Sequence, residues 1–423
     1  MSRSLAIRPA GPLSGEVPAP PSKSVTNRAL LLAALARGRS RLRGILQADD
    51  TRHMVGALER LGFTLRRNGE DVEVDGGDGS IPAPAAQLEV GNAGTAMRFL
   101  TAAAALGPGP YRLDGEPRMR QRPIGELAAA LTTLGAAVAF PGQEGFPPVE
   151  VRGGRLQGGA VSLPAARSSQ FASALLMIAP CLPGGLELRL EGQIASAPYL
   201  EITLDLMARF GNDAERHGGD RFRVPGNGYR GADLPIEGDA SAAAALLAAA
   251  AVTGGRVRVS GLPLGSRQPD LRFAELLGAM GCRVTRDPDG ITVEGRPGSG
   301  IDVDLREAPD LAPALAAVAL FAGSPSRIRG AAHLRLKESN RIEDLARGLR
   351  RVGGKVREHE DGLSLEPRPL AGARLDPCRD HRLAMAFTVI GLRVPGVEVL
   401  DPGCVAKSYP GFFDALERLR PEE

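Results

Sequence analysis

The sequence predicts an α/β protein built from six copies of one unit, grouped three and three into two lobes. Three observations predict it. Helices rich in Ala and Leu close at Gly38, Gly109, Gly184, Gly254, Gly323 and Gly396, a recurrence of about 70 residues. A second series of helices closes at Gly62, Gly135, Gly211, Gly281 and Gly353, and strand-like segments alternate with both series. The last copy stops at FFDALERLRPEE, before its closing strand pair, and a matching segment, SLAIRPAGPLSGEVPAP, stands at the other end of the chain.

The elements follow in order. The first helices read NRALLLAALARG, AMRFLTAAAALGPG, FASALLMIAPCLPG, ASAAAALLAAAAVTGG, LAPALAAVALFAGSP and LAMAFTVIGLRVPG. Small residues there allow close helix packing, and Gly at each end supplies the left-handed stop. Each is followed by a strand, a polar loop, a second helix and a strand pair. The N-terminal strands are expected to complete unit six. That places residues 20–235 in one lobe and residues 1–19 with 236–423 in the other. The chain crosses at Pro18–Pro21 and near Leu234–Gly238, a proline-bearing hinge whose lobes a shared ligand would close.

Composition limits function. At 423 residues with 43% hydrophobic and 4% aromatic side chains, each lobe can bury a core of Ala, Leu and Val. A net charge of +3, with no basic run interleaved with aromatics, argues against a nucleic-acid partner. No apolar stretch is long enough to span a bilayer, and MSRSLAIRPAG lacks a signal core. Cys181, Cys282, Cys378 and Cys404 show no CxxC spacing and read as free thiols in a reducing cytoplasm. The five histidines are scattered, so no metal site is expected.

The unusual polar residues gather where helices begin. First-helix entrances read PSKSVTNR, VGNAGTAMR, ARSSQ, EGDAS, APDLAP and RDHR. Singly, their Ser, Asn and Asp are ordinary N-caps. As a set, three side-by-side helices per lobe would collect N–H groups and positive dipole ends on one face, which suits anions. Second-helix entrances include RMRQRP, SRQPD, RLKESNR and VAKSYP. Of 52 basic residues only four are lysines, and Lys23, Lys337 and Lys407 stand at these entrances, where arginine would be the default. A lysine gives a compact charge and can exchange a proton when buried. Asp310 and Glu338 are either a cap and a first-turn acid or candidate bases in a cationic site.

Eight collinear motifs spanning the chain, PSKSVTNRAL, GNAGTAMR, EPRMRQRPIGEL, SSQFASALL, EGDAS, LRLKESNRI, DHRLAMAF and DPGCVAKSYP, strongly resemble the 5-enolpyruvylshikimate-3-phosphate synthase family. The resemblance implies an inside-out α/β barrel of the EPT/RTPC-like kind, each lobe three βαβαββ repeats. It implies transfer of the enolpyruvyl group of phosphoenolpyruvate to the 5-hydroxyl of shikimate 3-phosphate, with release of phosphate, in aromatic amino-acid biosynthesis. It implies no metal or organic cofactor, a cytoplasmic monomer, and inhibition by glyphosate. Matching motif by motif, Lys23, Ser24, Arg28, Ser168, Ser169, Gln170, Ser196, Tyr199, Asp310, His333 and Lys337 would hold shikimate 3-phosphate. Lys23, Gly94, Thr95, Arg122, Gln170, Arg341, Arg382 and Lys407 would surround phosphoenolpyruvate. Asp310 would take the 5-hydroxyl proton, and Lys23 or Glu338 would deliver a proton to C3. His333 stands where some members have Asn, and Phe99 where many have Pro.

Three other readings are weaker. The enolpyruvyl transferase acting on UDP-N-acetylglucosamine carries Asn after its first lysine and a loop cysteine; here Ser24 follows Lys23 and no Cys lies near Arg118–Arg122. An inactive phosphometabolite binder would be expected to have lost Asp310, Glu338 or a lysine. RNA-end processing on a related repeat fold would need more basic surface.

Overall fold

The computed structural model describes residues 4–154 and 156–421, so the outermost positions of the expected second lobe lie outside the described residues. The chain divides into two compact units, Pro21–Ile236 and Met1–Pro20 with Glu237–Glu423.

The first unit holds α1 (Lys23–Leu35), α2 (Asp49–Arg60), α3 (Gly94–Ala104), α4 (Gly125–Thr133), α5 (Ser169–Ile178) and α6 (Pro198–Arg209). The second holds α7 (Ala240–Thr253), α8 (Phe273–Ala279), α9 (Ala312–Ala319), α10 (Arg341–Arg351), α11 (His381–Gly391) and α12 (Phe412–Arg418). Among the described residues there are six sheets, five of four strands and one of three. In one repeat, strand Ala86–Glu89 leads into α3 and pairs in parallel with Tyr111–Asp114, Ala86 opposite Tyr111. A hairpin, Ala137–Ala139 and Val149–Arg152, then extends that sheet antiparallel.

The division of labour between helices follows from side-chain size. Every residue of α7 except Ser241 is buried. A nearly all-apolar, mostly alanine surface has almost no solvent face and is stable only when surrounded. The odd-numbered helices therefore form the interior of their units: α7, α9 and α11 pack on one another, as do α1 with α3 and α3 with α5. α10, by contrast, buries Ile342, Leu345, Ala346 and Leu349 and exposes charges on its other side. α7 ends on Gly254 at φ 74°, where its N–H returns to the Ala250 carbonyl; a Cβ would pay the left-handed penalty there.

The N-terminal segment departs from the expected arrangement. Its strands do not enter the sixth repeat as a pair. Ser4–Ala6 pairs antiparallel with Glu398–Leu400 in the sixth repeat. Ser14–Pro18 goes to a different sheet, parallel to Arg256–Ser260 in the fourth repeat. The reason lies in the segment between: Pro9, Gly11 and Pro12 break the ladder, and the chain is tied instead by Ile7 N–H to Val397 and Ala10 N–H to Leu392. Asp233–Pro235 plays the reciprocal part, pairing in parallel with Arg39–Arg43 of the first repeat. Each crossing thus delivers the lead strand of the unit that the chain is leaving.

Candidate active site

Eighteen residues were singled out, eleven in the first unit and seven in the second. The structure gathers much of each set.

In the second unit the organiser is Arg341, the first residue of α10 and 1% exposed. Its Nη1 donates to Asp310 at 2.8 Å, its Nη2 to Glu338 at 2.7 Å, and its Nε to Asp380 at 2.8 Å. Arg382, in the first turn of α11, pairs with the other Asp310 oxygen at 3.1 Å. The Asp310 carboxylate is thus held between two guanidiniums, one oxygen to each. Burial pushes the Asp310 carboxyl up, but Arg382, Lys337 and Arg341 together outweigh it and hold it well below the usual carboxylate range. Arg341 is penalised by burial, yet Asp380, Glu338 and Asp310 more than offset that and hold it charged. His333 is pushed down to about 4, first by burial and then by Lys337, so its ring is neutral at pH 7. Lys407 is buried at the end of the short 3₁₀ turn Pro402–Lys407, which packs against α11.

One alternative left open by the sequence is decided here. Asp310 is not an N-cap: Ala308 precedes that turn and makes no side-chain cap, and the Asp310 carboxylate is spent on arginines. Lys337 and Lys407 stand at the entrances to their second helices, as read from the sequence. They end short 3₁₀ turns that precede α10 and α12. A tight turn projects its side chains without using the helix N–H groups, which leaves those groups for other partners.

In the first unit Lys23 opens α1, capped by Ser22, and its Nζ lies 3.0 Å from Asp50 at the start of α2. Asn27 of α1 donates to Thr95 of α3 at 2.7 Å, and Arg28 reaches Thr203 of α6 at 2.8 Å. The N-terminal halves of these helices therefore meet. Arg122, 3% exposed, donates to the carbonyl and side-chain oxygens of Asn92 at 3.0 and 3.1 Å. Its guanidinium lies so close to Gly94 that a Cβ there would approach Cζ to 2.8 Å; only glycine leaves that space. Ser168 caps α5 by accepting from Gln170 N–H at 3.2 Å, leaving its own hydroxyl proton free to donate elsewhere, and Ser169 follows it, buried. Ser196 holds a left-handed backbone at φ 56°, a strained setting that sites favour. Ser24 and Tyr199 supply carbonyls to Arg28.

Asp50 and Asp380 were missed as site residues. Both sit at helix starts, where Asp is commonplace, and Asp380 does cap α11 through Arg382 N–H. The signal that could have found them is a second Asp beside a rare Lys or Arg motif.

The family model for EPSP synthase (3-phosphoshikimate 1-carboxyvinyltransferase) matches residues 7–416. The chain belongs to the EPSP synthase family. A 3-phosphoshikimate 1-carboxyvinyltransferase of Methanoculleus marisnigri is 49% identical over 410 residues, covering 96% of this chain and 97% of that protein. One of Aliivibrio fischeri is 43% identical over 422 residues, covering 98% and 99%. A solved EPSP synthase from Acinetobacter baumannii superposes with a TM-score of 0.83 at 28% identity, covering 99% of this chain and 98% of that one. The six sheets and the two units are thus those of an EPSP synthase fold. Among the described residues no helix is long and apolar enough to cross a membrane.

Proposed function

We infer that this chain joins the 5-hydroxyl oxygen of shikimate 3-phosphate to C2 of phosphoenolpyruvate and releases phosphate, supplying aromatic amino-acid biosynthesis as a 3-phosphoshikimate 1-carboxyvinyltransferase. The observation that carries the residue roles is the Asp310 carboxylate held between Arg341 and Arg382.

The steps balance as follows. The hydroxyl oxygen bonds to C2 while its proton passes to Asp310, and C3 receives a proton from Lys23 or Glu338. The tetrahedral adduct then expels phosphate from C2 and loses a C3 proton, restoring the double bond. Asp310 bound to two cations is a weak base. An anionic group drawn to Arg382 offsets that cation and raises Asp310 basicity when both substrates are bound. Arg122, Lys23, Arg341, Arg382 and Lys407 balance the charge of phosphoenolpyruvate and stabilise charge developing on addition. Ser24, Arg28, Ser168, Ser169, Gln170, Ser196, Tyr199, His333 and Lys337 hold shikimate 3-phosphate. Gly94 and Thr95 leave room and a donor beside Arg122. The chain acts as a cytoplasmic monomer, checked by light scattering.

Phosphate release should require both shikimate 3-phosphate and phosphoenolpyruvate. Release with UDP-N-acetylglucosamine in place of the former, or none with either acceptor, would refute this reading.

A further inference from the structure

Arg28 poses an electrostatic problem that the mechanism does not answer. It is 1% exposed. Its Nε donates to Thr203 Oγ1 at 2.8 Å, its Nη1 to the Ser24 carbonyl at 3.0 Å, and its Nη2 at longer range to Ser173 Oγ and the Tyr199 carbonyl, 3.4 and 3.5 Å. Every one of these oxygens is neutral. A buried charge ordinarily has a counter-ion. Arg341, equally buried in the other unit, has three carboxylates. Burial pushes the Arg28 guanidinium down to about 10, which still leaves it charged at neutral pH.

What faces it instead is a ring. The guanidinium carbon lies 5.1 Å from the centroid of Phe99 on α3, and Phe99 is itself fully buried. The electron-rich face of an aromatic ring attracts a desolvated cation at that range. It satisfies part of the charge without bonding to it, so the charge stays available. A carboxylate in the same place would compete with an incoming anion. In a chain with only 4% aromatic residues, a ring at this position is not the default filling; apart from Gly94 and Arg98, the rest of α3 is Ala, Leu, Met and Thr.

We propose that Phe99 is a positioning residue: its ring holds Arg28 charged and aimed with no counter-ion among the described residues, reserving that charge for an anionic group of shikimate 3-phosphate. This rests on the reaction assigned above.

The test replaces Phe99 in the full chain with mono-, di- and trifluorophenylalanine. The series keeps the ring's shape and drains its face stepwise. The dissociation constant of shikimate 3-phosphate, by calorimetry, should rise with each fluorine, by about tenfold across the series, the scale of a desolvated cation–ring contact. The KM for phosphoenolpyruvate and kcat at saturation should stay within about twofold. Phe99→Leu, which keeps apolar volume, should match the trifluoro form in binding. A flat series in an enzyme that binds and turns over both substrates would overturn the proposal and leave the function standing. A parent chain that neither binds shikimate 3-phosphate nor releases phosphate would overturn both.

Discussion

Asp310→Asn is the most discriminating change. The amide keeps the size of the carboxylate, so no cavity forms. It removes the base and one of the charges that Arg341 and Arg382 share, at 2.8 and 3.1 Å. The amide oxygen can accept from one arginine only, and its NH₂ then faces the other. Arg341 keeps Glu338 and Asp380 at 2.7 and 2.8 Å. The loss of stability should therefore fall below the ~3–5 kcal/mol of a fully orphaned buried ion. We expect about 1–2 kcal/mol, roughly 2–8 °C in melting temperature for a unit of this size. Turnover should suffer far more. Loss of a proton-transfer group costs about 10²–10⁴-fold, or ~3–5 kcal/mol of barrier at about 1.4 kcal/mol per tenfold. The assay is steady-state phosphate release at saturating substrates, paired with a thermal melt. A kcat within about threefold of the parent, in a variant that melts as expected, would refute the assignment of Asp310 as base.

Four further changes test the site. Lys23→Ala should cut kcat by about 10²–10⁴-fold while leaving the fold intact, since the α1 cap is on Ser22; near-normal turnover in a folded sample would count against proton delivery at this position. Arg122→Ala should raise KM for phosphoenolpyruvate by about tenfold or more and that for shikimate 3-phosphate much less; equal losses would contradict its placement. Gly94→Ala should force the Arg122 guanidinium aside, raising KM for phosphoenolpyruvate and weakening competitive inhibition by glyphosate; an unchanged inhibition constant would show that the space is not used. His333 is held near 4, below its ordinary 6.5, so its neutral form contributes stability that is present above about pH 6.5 and lost as pH falls towards 4. His333→Asn should flatten the stability profile in that window and leave the pH dependence of kcat between 6 and 8 unmoved, read by melts and initial rates.

How much of this was legible in the sequence depends on the kind of signal. Helix closure at glycine is local, so the repeat could be read directly. The second-series helices end just before Gly62, Gly135, Gly211, Gly281 and Gly353, all left-handed. Of the first series only α7 ends on its glycine, and the others stop several residues short of theirs. Strand partnership is not local. Nothing in SGEVP or DLP says that the one pairs with Arg256–Ser260 and the other with Arg39–Arg43. Lysine stood out at Lys23, Lys337 and Lys407 because arginine is the chain's habitual cation. Asp50 and Asp380 stayed hidden because a capping residue and an ion-pair partner look alike until the partner is in view. The three-carboxylate arrangement draws on residues up to 39 positions from Arg341, and motif spacing alone carries no trace of it.

The placing of the N-terminal strands has a consequence in time. Ser4–Ala6 pairs with Glu398–Leu400, which is synthesised nearly 400 residues after it. At about 5–20 residues per second, that delay is roughly 20–80 s. Through that interval Ser4–Ala6 has no partner strand to join, while the unit from Pro21 to Ile236 holds all the strands of its own three sheets once Asp233–Pro235 is made. The finished protein hides the wait: Arg420 donates to the carbonyls of Arg8 and Pro9, and Ser14 N–H to that of Leu419. Residues 8, 9 and 14 thus lie against residues 419 and 420, so a gene rearranged to start at Pro21, with residue 423 joined to residue 1, would synthesise Ser4–Ala6 soon after its partner Glu398–Leu400.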